Sequence, residues 1–264
     1  MRLSMRLRVL ALVFALAFSV SSGTAQQTFP SPEESLNRAA RDRMDYLEKL
    51  HGIKFERDVF CGARFGIPKE DNQSFLAEYV PNDGSIYLNP RFTLQLTRVA
   101  YYLGEHAFEG SPKLSKSPFF VTLLDHELGH VLPDHVSRRM GNGVWPDNDK
   151  LRKSSWDTIC GARIVSEGIA GFFGYSTTEY DRKKAEKSLP AESDVEYWLS
   201  DASTESFYAG GYWLVGPILR NFGEKGIEYL VTHPLDFPDG RARQAAREYQ
   251  KMALAELRKL DKKK

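Results

Sequence analysis

The sequence predicts a helix-rich α+β fold, and three observations support this prediction. Segments with apolar residues at helical spacing cover much of the chain, two short β-prone runs flank an Asp-Gly turn at residues 83–84, and no repeat or low-complexity linker interrupts the pattern. Hydrophobic residues make up 42% of the 264 residues and charged residues 27%, which is ordinary globular usage and excludes a disordered chain. We expect one domain over residues 26–264.

The clearest helix start lies at Ser31, where Ser-Pro-Glu-Glu has the pattern of an N-cap, a first-turn proline and a capping box. Apolar spacing continues this helix to about His51. Ile53, Phe55 and Val59 suggest a short strand, and residues 75–80 and 86–89 suggest the two arms of a hairpin. Further helices are expected over 91–105, 119–131, 160–173, 194–199, 207–222, 226–232 and 241–260.

Residues 1–25 have the organisation of a secretory signal peptide. Arg2, Arg6 and Arg8 precede an apolar run over 9–20, and small residues follow to Ala25. Twelve helical residues span about 18 Å, which is too short for a hydrocarbon core of about 30 Å. We therefore expect a secreted or periplasmic protein with no stable membrane insertion after the signal is removed.

The charge balance argues against a nucleic-acid partner. The 36 Lys and Arg residues against 35 Asp and Glu residues give a formal net charge of +1, and removal of the three signal arginines would change it to −2. A nearly neutral chain lacks the basic surface that phosphate backbones require. Export also makes a disulfide between the two cysteines, Cys61 and Cys160, plausible, although two free thiols are the alternative.

The chemistry of the chain is concentrated in residues 125–130, which read Asp-His-Glu-Leu-Gly-His. Because four residues of α-helix turn about 400°, His126 and His130 lie about 40° apart on one face and can reach one Zn²⁺. Glu127 can point to the open position of the metal, where it would take a proton from water and deliver it to a leaving amine. The alternative is a chance motif whose histidines cap or hydrogen-bond to neighbouring groups.

Two histidines need a third protein ligand to make a zinc site. The preferred candidate is Glu167, because it lies 37 residues beyond His130 in an expected helix that could return antiparallel to the first. The small residues Gly168 and Ala170 would let these two helices approach closely. His135 is expected to be a surface residue or a neighbour of the ligands, and Asp134 and Asp157 are minor alternatives.

The sequence from His126 to His130, followed by Glu167-Gly168-Ile169-Ala170, resembles the gluzincin group of zinc metallopeptidases. The resemblance implies a zincin-like fold, Zn²⁺ on His126, His130 and Glu167, Glu127 as the general base, and a peptide or protein substrate. It also implies an edge strand above the HExxH helix, along which an extended peptide pairs. Residues 85–89 are the candidate for that strand, with an ordinary hairpin strand as the alternative.

The sequence also departs from the gluzincin pattern. Many gluzincins carry an aspartate four residues after the glutamate ligand, and this chain has Gly171 there. Tyr208 and Tyr212 are candidate donors for the oxyanion of the reaction, with His233 a third option and aromatic packing the alternative for each tyrosine. The expected activity is peptide hydrolysis by an exported zinc enzyme. A non-catalytic zinc-binding or interaction protein with a peptidase-like fold is the competing interpretation.

Overall fold

The computed structural model describes residues 31–68, 75–89, 118–145, 156–174, 206–236 and 241–262. Within them the chain forms five α-helices, one π-helical turn and one three-stranded sheet, so the helix-rich prediction with a small sheet is confirmed. In chain order these are α1 (Pro32–His51), β1 (Gly62–Phe65), β2 (Ala77–Val80), β3 (Ser85–Leu88), α2 (Pro118–Arg139), α3 (Trp156–Gly174), the π-helical turn Ser206–Gly210, α4 (Gly211–Thr232) and α5 (Ala242–Asp261).

Helix α1 begins and ends where the sequence predicts. The Ser31 hydroxyl accepts a hydrogen bond from the Glu34 amide (3.1 Å), and the Glu34 carboxylate accepts one from the Ser31 amide (2.6 Å), which completes the capping box. At the other end Gly52 adopts a left-handed conformation (φ 63°), which ends the helix without steric strain. The buried face of α1 carries Leu36, Ala40, Met44 and Leu47.

The sheet is mixed, with strand order β1-β3-β2, and two expectations about the strands are wrong. Strands β2 and β3 form the predicted antiparallel hairpin, but β1 pairs in parallel with β3 (Ala63 opposite Ile86). Residues 85–89 therefore do not form an edge strand, because β3 lies at the centre of the sheet. The edge strand that contacts α2 is β2. The strand expected around Ile53–Val59 is also wrong, since the Val59 amide donates to the Glu56 carbonyl in a turn.

Helix α3 lies between α2 and α4, and glycines make both contacts close. A Cβ atom added to Gly129 of α2 would lie 2.5 Å from the Ala170 Cα of α3, and one added to Gly168 would lie 2.4 Å from the Gly211 carbonyl oxygen of α4. Such separations are shorter than a Cβ tolerates. The prediction that small residues allow α2 and α3 to approach closely is confirmed for Ala170, which faces α2, and is wrong for Gly168, which faces α4.

Three helices depart from the expected boundaries, and one of them, α3, begins at Trp156 and not at residue 160. Helix α2 continues past Pro133 to Arg139 although the expected helix ended at residue 131, because the buried Leu132 and Val136 continue its packed face. Helix α4 contains a kink at Gly223 (φ 50°, ψ −125°), which lies in the gap between the helices expected over 207–222 and 226–232. Helix α5 matches its expectation within one residue at each end.

Cys61 and Cys160 are not joined to each other, so the expected Cys61–Cys160 disulfide is wrong. Cys61 is exposed immediately before β1, whereas Cys160 is buried inside α3, so the two sulfurs occupy different environments. The signal segment and the helices expected over 91–105 and 194–199 lie outside the described residues. Among the described helices, none is both long enough and apolar enough to cross a membrane.

Candidate metal centre

The candidate metal centre is formed by two residues of α2 and one of α3. His126 and His130 lie one turn apart, with their ring centroids separated by 5.0 Å and the rings nearly perpendicular. The Glu167 Oε2 atom lies 3.4 Å from His126 Nε2 and 3.5 Å from His130 Nε2. A chance motif would give no reason for Glu167 to lie near the two histidines, so this proximity argues against that alternative. Among the described residues, this is the one group of three or more His, Cys, Asp or Glu side chains close enough to share a metal ion.

The separations of these atoms fit a tetrahedral ion. Ligands at about 2.0–2.1 Å in tetrahedral geometry lie about 3.3–3.4 Å from one another, which is close to both observed nitrogen–oxygen separations. Glu167 Oε2 is buried and accepts no hydrogen bond from any described residue. A buried carboxylate oxygen without a donor is costly unless a cation satisfies it. The three residues are therefore placed so that they could hold one metal ion.

The charges around Glu167 favour its ionised form. Burial by itself would raise the pKa of Glu167, but the facing imidazoles of His130 and His126 outweigh burial and hold the pKa below its usual range. The carboxylate is therefore the form of Glu167 that these contacts favour, and it is also the form in which a glutamate binds a metal.

One contact involves a candidate histidine ligand and a second anchors the residue before the other histidine, and sequence reasoning missed both. The Ser166 Oγ atom lies 3.0 Å from His130 Nδ1, on the side of the ring away from Glu167. Asp125, the residue before His126, forms a buried bidentate ion pair with Arg43 of α1 (2.6 and 2.7 Å). Ser166 directly precedes the candidate ligand Glu167, but a serine beside a glutamate is too common a pair to have identified this contact from the sequence.

Glu127 lies next to the three candidate ligands, and a hydrogen bond joins its side chain to the sheet. Its side chain is buried, and its Oε2 atom accepts a hydrogen bond from the Tyr79 amide of β2 (2.9 Å). Burial raises the pKa of Glu127 to about 7, although the neighbouring His126 acts in the opposite direction. A carboxyl group in such an environment is suited to exchange a proton near neutral pH.

Tyr208 lies close to His126, whereas Tyr212 contacts Phe172 and Arg220. The Tyr208 ring centroid lies 5.6 Å from that of His126. The Tyr212 ring stacks on Phe172 (6.4 Å), and its hydroxyl accepts a hydrogen bond from Arg220 Nη1 (3.2 Å). His233, the third option, stacks on Tyr229 at the end of α4.

The alternative metal ligands have structural contacts instead. His135 is fully buried, so the expectation of a surface residue is wrong, and its Nδ1 atom accepts a hydrogen bond from the Glu56 amide (3.0 Å). Asp134 is also fully buried and accepts hydrogen bonds from Tyr79, Arg138 and Trp145. The side chain of Asp157 lies outside the described residues. Neither His135 nor Asp134 belongs to the metal-binding group.

Comparisons of the chain with protein-family models, with curated proteins and with solved structures found no match. The functional interpretation therefore depends on the geometry of the site and on the residues that form it.

Proposed function

We propose that this protein is an exported zinc-dependent peptidase of the gluzincin type. The observation that supports the proposal most strongly is the approach of Glu167 to within 3.4 and 3.5 Å of the two histidines that flank Glu127 in the HExxH sequence. This arrangement combines two metal ligands and a carboxylate base on α2 with a third ligand on α3. The signal-like residues 1–25 support action outside the cytoplasm.

Each residue of the candidate site would have its own role in peptide hydrolysis. His126, His130 and Glu167 would hold the ion, and Zn²⁺, when bound, would supply Lewis-acid polarisation of a peptide carbonyl and of water. Glu127 would take the proton from the attacking water and deliver it to the nitrogen of the leaving amine. Tyr208 is the better placed of the two tyrosines to donate a hydrogen bond to the developing oxyanion, because its ring approaches His126.

The substrate in this proposal is an extended peptide segment that pairs with β2. In an antiparallel ladder alternate residues bond to the partner strand, and the Asn89 amide donates to the Leu76 carbonyl (3.1 Å). With Ala77 opposite Leu88, the main-chain groups of Ala77 and Tyr79 therefore point away from β3. The Tyr79 amide is already bonded to Glu127, which leaves the groups of Ala77 and the Tyr79 carbonyl for a peptide. A peptide strand added at this edge would pass beside Glu127.

The test is a comparison of wild type with Glu127→Gln, which keeps the shape of the side chain and removes its base. We expect about one zinc ion per chain in both proteins and peptide cleavage by wild type, with kcat about 10²- to 10⁴-fold lower in the variant. Glu224→Gln, a glutamate that pairs with Arg139, is the control and should cleave like wild type. Equal cleavage by the Glu127 variant, or wild type without zinc, would contradict the proposal.

One observation favours the competing function of a non-catalytic zinc-binding protein. Gly171 occupies the position at which many gluzincins carry an orienting aspartate, so the carboxylate that would strengthen a ligand histidine is missing there. Zinc binding without cleavage of any peptide in a diverse substrate library would favour this function.

A further inference from the structure

Tyr79 contacts helix α2 at two points. Its amide donates to Glu127 Oε2 (2.9 Å), and its phenol donates to Asp134 Oδ2 (2.7 Å). Glu127 and Asp134 are seven residues apart, so they lie on nearly the same face of the helix, about 10.5 Å apart along its axis. The Tyr79 residue therefore lies lengthwise along α2, with its backbone beside one carboxylate and its hydroxyl beside the other.

The contact at Asp134 is rigidly supported. Asp134 is fully buried and also accepts hydrogen bonds from Arg138 Nε (3.0 Å) and the Trp145 amide (2.9 Å). Arg138 in turn donates to the Pro81 carbonyl just beyond β2 (2.7 Å). Burial and the Asp134 carboxylate raise the pKa of Tyr79, so its phenol remains a hydrogen-bond donor. This group of contacts joins β2 to the second half of α2.

The contact at Glu127 depends on the position of β2. The Tyr79 amide points away from β3, because residue 79 is opposite Ile86 at a position without ladder hydrogen bonds. The hydrogen bonds of β3 therefore do not hold this amide directly. Its hydrogen bond occupies one oxygen of the Glu127 carboxylate, and the other oxygen is the one that would exchange a proton with the attacking water.

We propose that Tyr79 is a positioning residue for Glu127. The phenol–Asp134 contact sets where the Tyr79 amide lies along α2, and the amide in turn sets the orientation of the Glu127 carboxylate. The expected effect of Tyr79 on catalysis rests on the proposed peptidase function. The expected effect of the Tyr79 phenol on the position of the Tyr79 amide does not. A carboxylate base must be held in its productive geometry, and small misplacements reduce rates strongly.

The test removes only the phenol oxygen, with Tyr79→Phe. We expect kcat to fall about 10- to 100-fold while KM changes by less than about twofold, with the zinc content unchanged. Amide hydrogen exchange at residue 79, measured by NMR, should become at least about tenfold faster because the acceptor is less well placed. The matched control is Tyr87→Phe on β3, which removes a phenol bound to Asp83 (2.5 Å) and should change none of these quantities.

The two measurements separate this proposal from the proposed function. If wild type cleaves no peptide, the peptidase function fails, and faster exchange at residue 79 in Tyr79→Phe still supports the positioning role. Activity and amide exchange equal to those of Tyr87→Phe would overturn it. A lower kcat that accompanies loss of zinc, with unchanged exchange at residue 79, would also overturn it, because the phenol would then only stabilise the fold.

Discussion

At the scale of single residues, two neighbouring side chains of α3 contact the candidate histidine ligands of α2. Glu167 approaches both Nε2 atoms, while the Ser166 hydroxyl contacts His130 on its other ring nitrogen, Nδ1. If Nε2 bound a metal, Nδ1 would carry the ring proton and would donate a hydrogen bond to Ser166 Oγ. Ser166 would then orient the ring and fix its tautomer, which is the role that the gluzincin pattern gives to an aspartate at position 171.

Replacement of Ser166 by alanine is expected to weaken zinc binding about 10- to 100-fold, because the His130 ring loses the contact that orients it. The dissociation constant would be measured by competition with a chromophoric chelator at fixed pH. Ser137→Ala, at a buried serine in the last turn of α2 before Met140, is the control and should bind zinc like wild type. An unchanged constant for Ser166→Ala would show that the ring is oriented by other groups.

At the scale of elements, the metal site depends on the close approach of α2 and α3. Gly129 directly precedes the candidate ligand His130 and lies at this helix contact, where an added Cβ would lie 2.5 Å from Ala170 Cα. The obstacle is backbone, which cannot rotate away, so the two helices would have to separate. Separation would move Glu167 away from the two histidines.

We predict that Gly129→Ala lowers the free energy of unfolding of the metal-free protein by about 1–3 kcal/mol or more and weakens zinc binding at the same time. Gly66→Ala is the matched control, because its Cβ would make only an ordinary contact of 3.5 Å with Tyr87. Urea unfolding and zinc titration measure the two effects. If Gly129→Ala retained full zinc affinity, the site would not depend on this helix contact.

Local signals in the sequence predicted the elements better than their arrangement. The capping box of Ser31 and the Asp-Gly turn at Gly84 depend on residues within a few positions of each other, so both features were predictable. The parallel pairing of β1 with β3 depends on contacts between distant segments, and no local pattern encodes it. Without β1, the sequence could not show that β3 lies at the centre and β2 at the edge.

The same distinction applies to the candidate site. The HExxH spacing placed His126 and His130 on one face by helical geometry alone, and a helix returning from residue 160 made Glu167 reachable. The contacts of Tyr79 and Ser166 involve common residue types without a distinctive spacing. Only the packing of β2 and α3 against α2 reveals them.

At the scale of the whole molecule, we expect the buried His135 to make the stability of the fold depend on pH. His135 is fully buried, and burial lowers its pKa to about 4, although Asp134 and Glu56 oppose this shift while Arg138 and Arg57 add to it. The unfolded chain, with a pKa near 6.5, binds the proton more readily than the folded protein. The contribution of neutral His135 is therefore complete above about pH 6.5 and is lost as the pH falls towards 4.

We predict that metal-free wild type loses up to about 3 kcal/mol of unfolding free energy between pH 7 and pH 4, relative to the variant His135→Asn over the same range. The asparagine oxygen can accept the hydrogen bond of the Glu56 amide but does not titrate. The comparison with this variant removes the effects of all other titrating groups. Parallel stability–pH curves for the two proteins would show that His135 does not carry this dependence.

The most direct test of the metal centre is the zinc affinity of Glu167→Gln, which keeps the size of the side chain and removes its charge. We predict that wild type binds one zinc ion per chain and that the variant binds zinc at least about 100-fold more weakly while retaining the circular dichroism spectrum of wild type. A wild-type protein that binds no zinc, or a Glu167→Gln variant with wild-type affinity, would contradict the account.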